Sequence, residues 1–223
     1  MKSYFSSEVF SSLKELRENN NRSWYSENKE KINSSRKELE EFVEELLPLI
    51  RKFDSKVEMI EAKKTMYKQH LDIRFKKDKT PFKTHYAAII CHGSIKQMGV
   101  PCYYIHIEEG FVMLATGVYS PDVVNLKKIR DEIYYNVDEF NSILNGKKFK
   151  KYYEGIDADE KLKNAPRGYP KDWEYIDYLK NKHFCPVHYC STEKSMKDGF
   201  LEYVVEVFKA SYEFNLFLSR AIF

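Results

Sequence analysis

Lys68, His70, Asp72 and Arg74, followed by lysines at 76, 77, 79 and 83 around a turn that ends at Pro81, have types and spacing that could bind an anion. If 67–75 is an extended strand, its side chains alternate, so Leu71, Ile73 and Phe75 share an apolar face and the four polar residues share the other. An acid two residues from an arginine on one face makes a lateral pair. The pair fixes the guanidinium fork and leaves donors for a carboxylate or phosphate. A lysine-rich turn that also presents backbone N–H groups is a candidate anion nest. The bland alternative is a solvated hairpin loop whose lysines keep a sheet edge soluble.

A second constellation is Tyr104, His106 and Glu108, which share one strand face while Tyr103, Ile105 and Ile107 form the other. Such a ladder offers an acid/base surface centred on His106, or only a hydrogen-bonded histidine in a half-buried sheet. His85 has the same two readings. Arg167-Gly168 is an anion contact or a loop brace, and Asn20–Trp24 is a ligand-contacting corner or a helix cap with a core tryptophan.

Cys185-Pro-Val-His188-Tyr-Cys190 has zinc-ligand residue types, but in an extended segment Cys185 points away from His188 and Cys190, and no second Cys-x-x-Cys element exists. No metal is expected. Cys91, Cys102, Cys185 and Cys190 fall in apolar runs and read as reduced thiols. Phosphate-loop, dinucleotide, zinc-protease and nucleophile-elbow patterns are absent, so no cofactor is implied.

The elements that would position these residues follow from periodicity. Residues 7–18 read as a helix. Asn19–Asn21 break it, and a long second helix carries Leu39, Phe42, Val43, Leu46, Leu47, Ile50 and Phe53 on one stripe. Alternation then predicts strands at 67–75, 85–92, 102–108 and 111–118, the last two joined by a two-residue turn at Glu109-Gly110. Ser120-Pro121-Asp122 opens a helix, and Asn136–Glu139 has capping-box spacing. Residues 146–171 read as irregular. A short helix near 172–180, a strand at 182–190 and a helix over 198–220 complete the chain.

The segment around Asp72 resembles the signature R-x-x-R-D-x-R-F-x-x-D-K-x-x-Y of a widespread bacterial family of about this length, catalogued only as a domain of unknown function. Asp72, Arg74, Phe75, Asp78 and Lys79 match it, while Lys68, Leu71 and Phe82 replace two arginines and the tyrosine. Phe82 removes the hydroxyl that an acid/base role for that tyrosine would need. Asn20-Asn-Arg-Ser-Trp-Tyr25 with Asn28-Lys29, Tyr104–Glu108 before Gly110, Ala165–Tyr169, and Lys182 before Phe184 are similar to the family's other landmarks. The resemblance covers almost the whole chain and implies no activity.

The 223 residues suit one domain spanning 1–223, and 37 Lys and Arg against 34 Asp and Glu are too balanced for a general polyanion binder. Neither a leader-like N-terminus nor a long apolar run is seen, which gives the expectation of a cytoplasmic protein without membrane contact. The fold expected is α+β, an antiparallel sheet of about four or five strands packed against long N-terminal and C-terminal helices. The leading functional expectation is a basic pocket for a phosphate- or carboxylate-bearing small molecule, built from Arg74, Lys79, Lys83, His85, Arg167 and Lys182. Asp72 would orient Arg74, and His106 would be the acid/base group. The rival is a non-catalytic module that contacts nucleic acid or protein through the Lys76–Lys83 loop. The sequence decides neither between binding and catalysis nor the oligomeric state.

Overall fold

The computed structural model of the chain describes residues 2–72, 74, 79–93, 97–156 and 160–223. Among them the elements run α1 (Ser7–Glu18), α2 (Arg22–Glu27), α3 (Lys29–Arg51), α4 (Ala62–Thr65), β1 (His85–Cys91), β2 (Cys102–Glu108) and β3 (Phe111–Gly117). There follow α5 (Val123–Tyr135), α6 (Val137–Asn145), α7 (Lys147–Lys150), α8 (Ile176–Leu179), β4 (Val187–Cys190), α9 (Thr192–Ser195), α10 (Phe200–Ala210) and α11 (Tyr212–Ile222). The architecture is α+β, with one antiparallel sheet ordered β1-β2-β3-β4.

The register divides the sheet's side chains cleanly. Glu108 pairs with His85 on one side and Phe111 on the other, and Ala115 pairs with Val187. Tyr86, Ala88, Ile90, Tyr103, Ile105, Ile107, Val112 and Leu114 therefore face one way, and all are buried. Helices α3, α10 and α11 pack against this face. The apolar stripe of α3 is the predicted one, with Leu39, Phe42, Val43, Leu46 and Ile50 fully enclosed.

Hydrogen bonds pin the ends of the sheet to the helices. Just beyond α3, the Asp54 carboxylate oxygen Oδ2 lies 2.6 Å from His92 Nε2 and accepts a 2.7 Å bond from the Tyr103 hydroxyl. All three residues are about 1% exposed, so the cluster ties the end of α3 to β1 and β2 inside the core. From α11, Asn215 Nδ2 donates to the Cys102 carbonyl.

Several expectations are corrected. The predicted strand over 67–75 is not a strand where it is described. Residues 66–71 make two isolated bridges, Met66 with Ala88 and His70 with Phe82, and an irregular ribbon with 81–83. Pro81 has no N–H to extend a ladder, and the Gln69 side chain takes up the Lys83 and His85 carbonyls that a neighbouring backbone would otherwise bond. Ile73 and residues 75–78 lie outside the described residues, and with them Phe75, Asp78, Lys76 and Lys77 of the turn.

The strand expected at 182–190 is reduced to β4, preceded by a bridge between Val118 and Phe184. The long helix after Arg22 is broken at Asn28 into α2 and α3, and the C-terminal helix is broken at Ser211 into α10 and α11. The side chain of Asp122, not Ser120, caps α5 by accepting from the Asn125 N–H. Asn136 makes no side-chain cap at α6, because its amide turns back to donate to Glu132, and the Glu139 carboxylate is engaged by Arg220.

Candidate functional site

The sheet face turned away from the helices carries a pocket of about 730 Å³. Its floor comes from alternate residues of all four strands: Ile89 of β1, Cys102 and Tyr104 of β2, Met113 and Ala115 of β3, and Val187 and Tyr189 of β4. Its walls come from the segments between elements. Tyr67 enters from the ribbon before β1, Met98 and Gly99 from the β1–β2 connection, and Tyr119, His183 and Cys185 from the segments bridged beside β3.

Close approach at Gly117 makes the last wall possible. Gly117 has φ 98, and a Cβ there would fall 1.9 Å from the Phe184 carbonyl oxygen, so the 183–185 segment crosses β3 where only glycine fits. The crossing is fixed by paired backbone bonds between Val118 and Phe184. His183 then stacks on Tyr119 with ring centroids 4.5 Å apart, and its Nδ1 accepts from the Ser120 N–H.

One end of the pocket is polar. Lys83 Nζ lies 4.5 Å from the centre of the Tyr67 ring, and His85 stacks on His106 at 4.1 Å. His106 Nε2 is 2.9 Å from Glu108 Oε2, its Nδ1 is 3.3 Å from the Tyr104 hydroxyl, and the Phe111 ring covers it on a parallel plane. Thr84 Oγ1 donates to the other carboxylate oxygen of Glu108.

This environment favours neutral imidazoles. Burial, reinforced by the nearby His106 and Lys83, pushes His85 down to about 4 against an opposing pull from Glu108. Burial also lowers His106, although the hydrogen bond and charge of Glu108 resist it. Burial raises the Tyr104 hydroxyl and pushes Tyr67 up to about 12, so both keep their proton at neutral pH. The Cys102 thiol is likewise driven well above its ordinary value by burial.

The expected site residues do not converge as a basic pocket. Lys83 and His85 line the cavity, and His106 with Glu108 stands behind His85. Asp72 and Arg74 do pair, with Nη2 to Oδ2 at 2.6 Å and Nε to Oδ1 at 2.9 Å, but in an exposed turn and not on a sheet face. Lys79 is exposed on the same ribbon. Arg167 is exposed in the turn before Tyr169, whose hydroxyl donates to Asp131 of α5, and Lys182 is bonded to Glu160. Among the described residues, Arg74, Lys79, Arg167 and Lys182 are not part of the pocket wall.

Two of the motif segments serve the architecture. Asn20 brackets Phe82 by donating to its carbonyl and accepting from its N–H, and Tyr25 stacks on the Phe82 ring at 3.8 Å. Phe82 is 3% exposed, so an apolar ring suits the position. His188 turns to the core, with Nδ1 against the Tyr152 carbonyl and Nε2 against the Tyr203 hydroxyl, while Cys185 lines the pocket on the other side of the sheet.

The aromatic walls at Tyr67 and Tyr119 and the floor at Tyr189 were not legible in the sequence. Their only sequence signal is the abundance of 17 tyrosines. No helix among the described residues is long and apolar enough to cross a membrane. One family model, described as "Conserved hypothetical protein (DUF2461)", matches residues 8–217. No curated protein and no solved structure matches the chain.

Proposed function

The chain belongs to this family of conserved hypothetical proteins, whose description names no activity, and from the site itself we propose that the pocket receives a small organic ligand with a flat apolar body and a terminal carboxylate or phosphate. The observation that carries this reading is an aromatic and aliphatic pocket of about 730 Å³ with its cation, Lys83, at one end beside His85. Ligand pockets of roughly 300–1,000 Å³ are typically apolar with a few convergent polar groups that fix orientation. Tyr67, Tyr104 and Tyr119 offer ring faces and edges to a planar body, and Lys83 supplies the charge for its anionic end.

A thermal-shift panel tests the reading, because a ligand that binds only the folded protein raises its melting temperature. Benzoate, phenyl phosphate and nucleoside monophosphates should stabilise the protein more than inorganic phosphate at equal concentration. Lys83→Ala should lose most of that response, and Arg167→Ala should keep it. A panel without any response, or an unchanged response in Lys83→Ala, would reject the pocket as an anion site.

A further inference from the structure

We propose that His85, His106 and Glu108 form a binding site for one divalent transition-metal ion. One imidazole nitrogen from each histidine and one carboxylate oxygen lie within 4.8 Å of one another. Two imidazoles and a carboxylate form a donor set suited to zinc, iron, cobalt or nickel, and unlike the all-oxygen sets of calcium and magnesium. Bond lengths of about 2.0–2.2 Å in a tetrahedral site place ligand atoms roughly 3.4 Å apart, so the longest separation has to close by about an ångström and a half. Side-chain rotation of His85 and Glu108 supplies this, since both are only partly buried.

The surroundings of the three ligands fit this role. His85 comes from the first position of β1 and the other two from alternate positions of β2, so the sheet register presents all three on one face. The Tyr104 hydroxyl stands 3.3 Å from His106 Nδ1, opposite the nitrogen that faces Glu108. When a metal takes the Nε2 lone pair, the imidazole proton resides on Nδ1 and the Tyr104 oxygen accepts it. Such outer contacts orient a ligating histidine. Thr84 holds the second oxygen of Glu108 in the same way.

Three protein ligands leave coordination positions open, as in catalytic rather than structural sites. His85 also lines the pocket, so the cluster stands at the polar end of that cavity. The expectation of no metal covered the whole chain and was argued from Cys185, His188 and Cys190; the present site departs from it on a different cluster. The metal site stands independently of the organic ligand proposed above, and the two fail separately.

The experiment titrates chelator-treated, dialysed protein with Zn²⁺ by calorimetry and with Co²⁺ by visible absorption. One equivalent of Zn²⁺ per chain is expected, with Co²⁺ ligand-field bands free of the intense thiolate charge transfer that cysteine ligation would give. Glu108→Gln, His85→Ala and His106→Ala should each weaken Zn²⁺ at least about tenfold, and Cys190→Ser should leave it unchanged. Glu108→Gln keeps the shape of the site, and its melting temperature before metal addition tells loss of ligation from loss of fold. Absence of stoichiometric binding, or binding unaltered in both Glu108→Gln and His85→Ala, or loss of binding in Cys190→Ser, overturns the proposal. The anion response of Lys83→Ala, measured in chelator, reports on the organic-ligand reading alone.

Discussion

Asp54 shows how one residue can hold the end of a sheet. Burial alone would raise its carboxyl, but the hydrogen bond and charge of His92, the Tyr103 hydroxyl and the Lys56 N–H outweigh that and hold it below its ordinary value of 3.8. A carboxyl depressed in the folded state contributes stability that is present above its unfolded value and is lost as pH falls through the folded one. Urea unfolding at pH 6 and pH 3 should therefore show a larger loss of stability for the wild type than for Asp54→Asn, which has no carboxyl to protonate. Equal losses would remove Asp54 as the source. Asp54→Ala should cost about 3 kcal/mol at pH 6, because it leaves His92 and the Tyr103 hydroxyl buried without their partner. At this scale the sequence was informative where strand parity applied. It placed Tyr104, His106 and Glu108 on one face and paired Asp72 with Arg74. It did not bring His85 to His106, since a ten-residue connection separates β1 from β2 and its length fixes no register.

At the scale of elements, periodic burial was legible and segment pairing was not. The stripe of α3 and the Glu109-Gly110 turn follow from spacing, and β2 and β3 pair as that turn requires. The segment over 67–71 alternates like a strand, yet Pro81 and the side chain of Gln69 convert it into a ribbon with two bridges. The crossing at Gly117 left no trace except the glycine itself. Gly117→Ala should destabilise the protein by at least about 2 kcal/mol, since a Cβ at positive φ is strained and the Phe184 carbonyl must move. It should also displace His183 and Cys185 from the pocket. The measurable result is a lowered melting temperature together with a smaller shift from whichever aryl anion stabilises the wild type. A variant that melts and responds like the parent would show that the crossing gives way without cost.

For the whole molecule, the fold class was accessible because a run of alternating segments between long amphipathic helices admits few packings. The site was accessible only in part, because a pocket drawn from five separate stretches of the chain depends on tertiary placement. Placement also bears on the polyanion alternative. Arg74 is paired with Asp72, Lys182 with Glu160, and Arg220 with Glu132 and Glu139, so these exposed cations are matched locally. Fluorescence anisotropy with single-stranded and duplex oligonucleotides at 150 mM salt should show no saturable binding at micromolar protein. Tight binding with a steep salt dependence would favour an interaction module instead.

The alternation of the strands has an evolutionary consequence. Each central strand devotes odd or even positions to the helix-covered core and others to the pocket, as Tyr103, Ile105 and Ile107 against Cys102 and Tyr104 illustrate. The folded core and the pocket lining are thus written on interleaved letters of the same segments. Ile89, Met113, Ala115 and Val187 can change and reshape the cavity while the helix-facing positions keep the domain folded. Sister proteins of this architecture would be expected to diverge in what they bind far sooner than in how they fold.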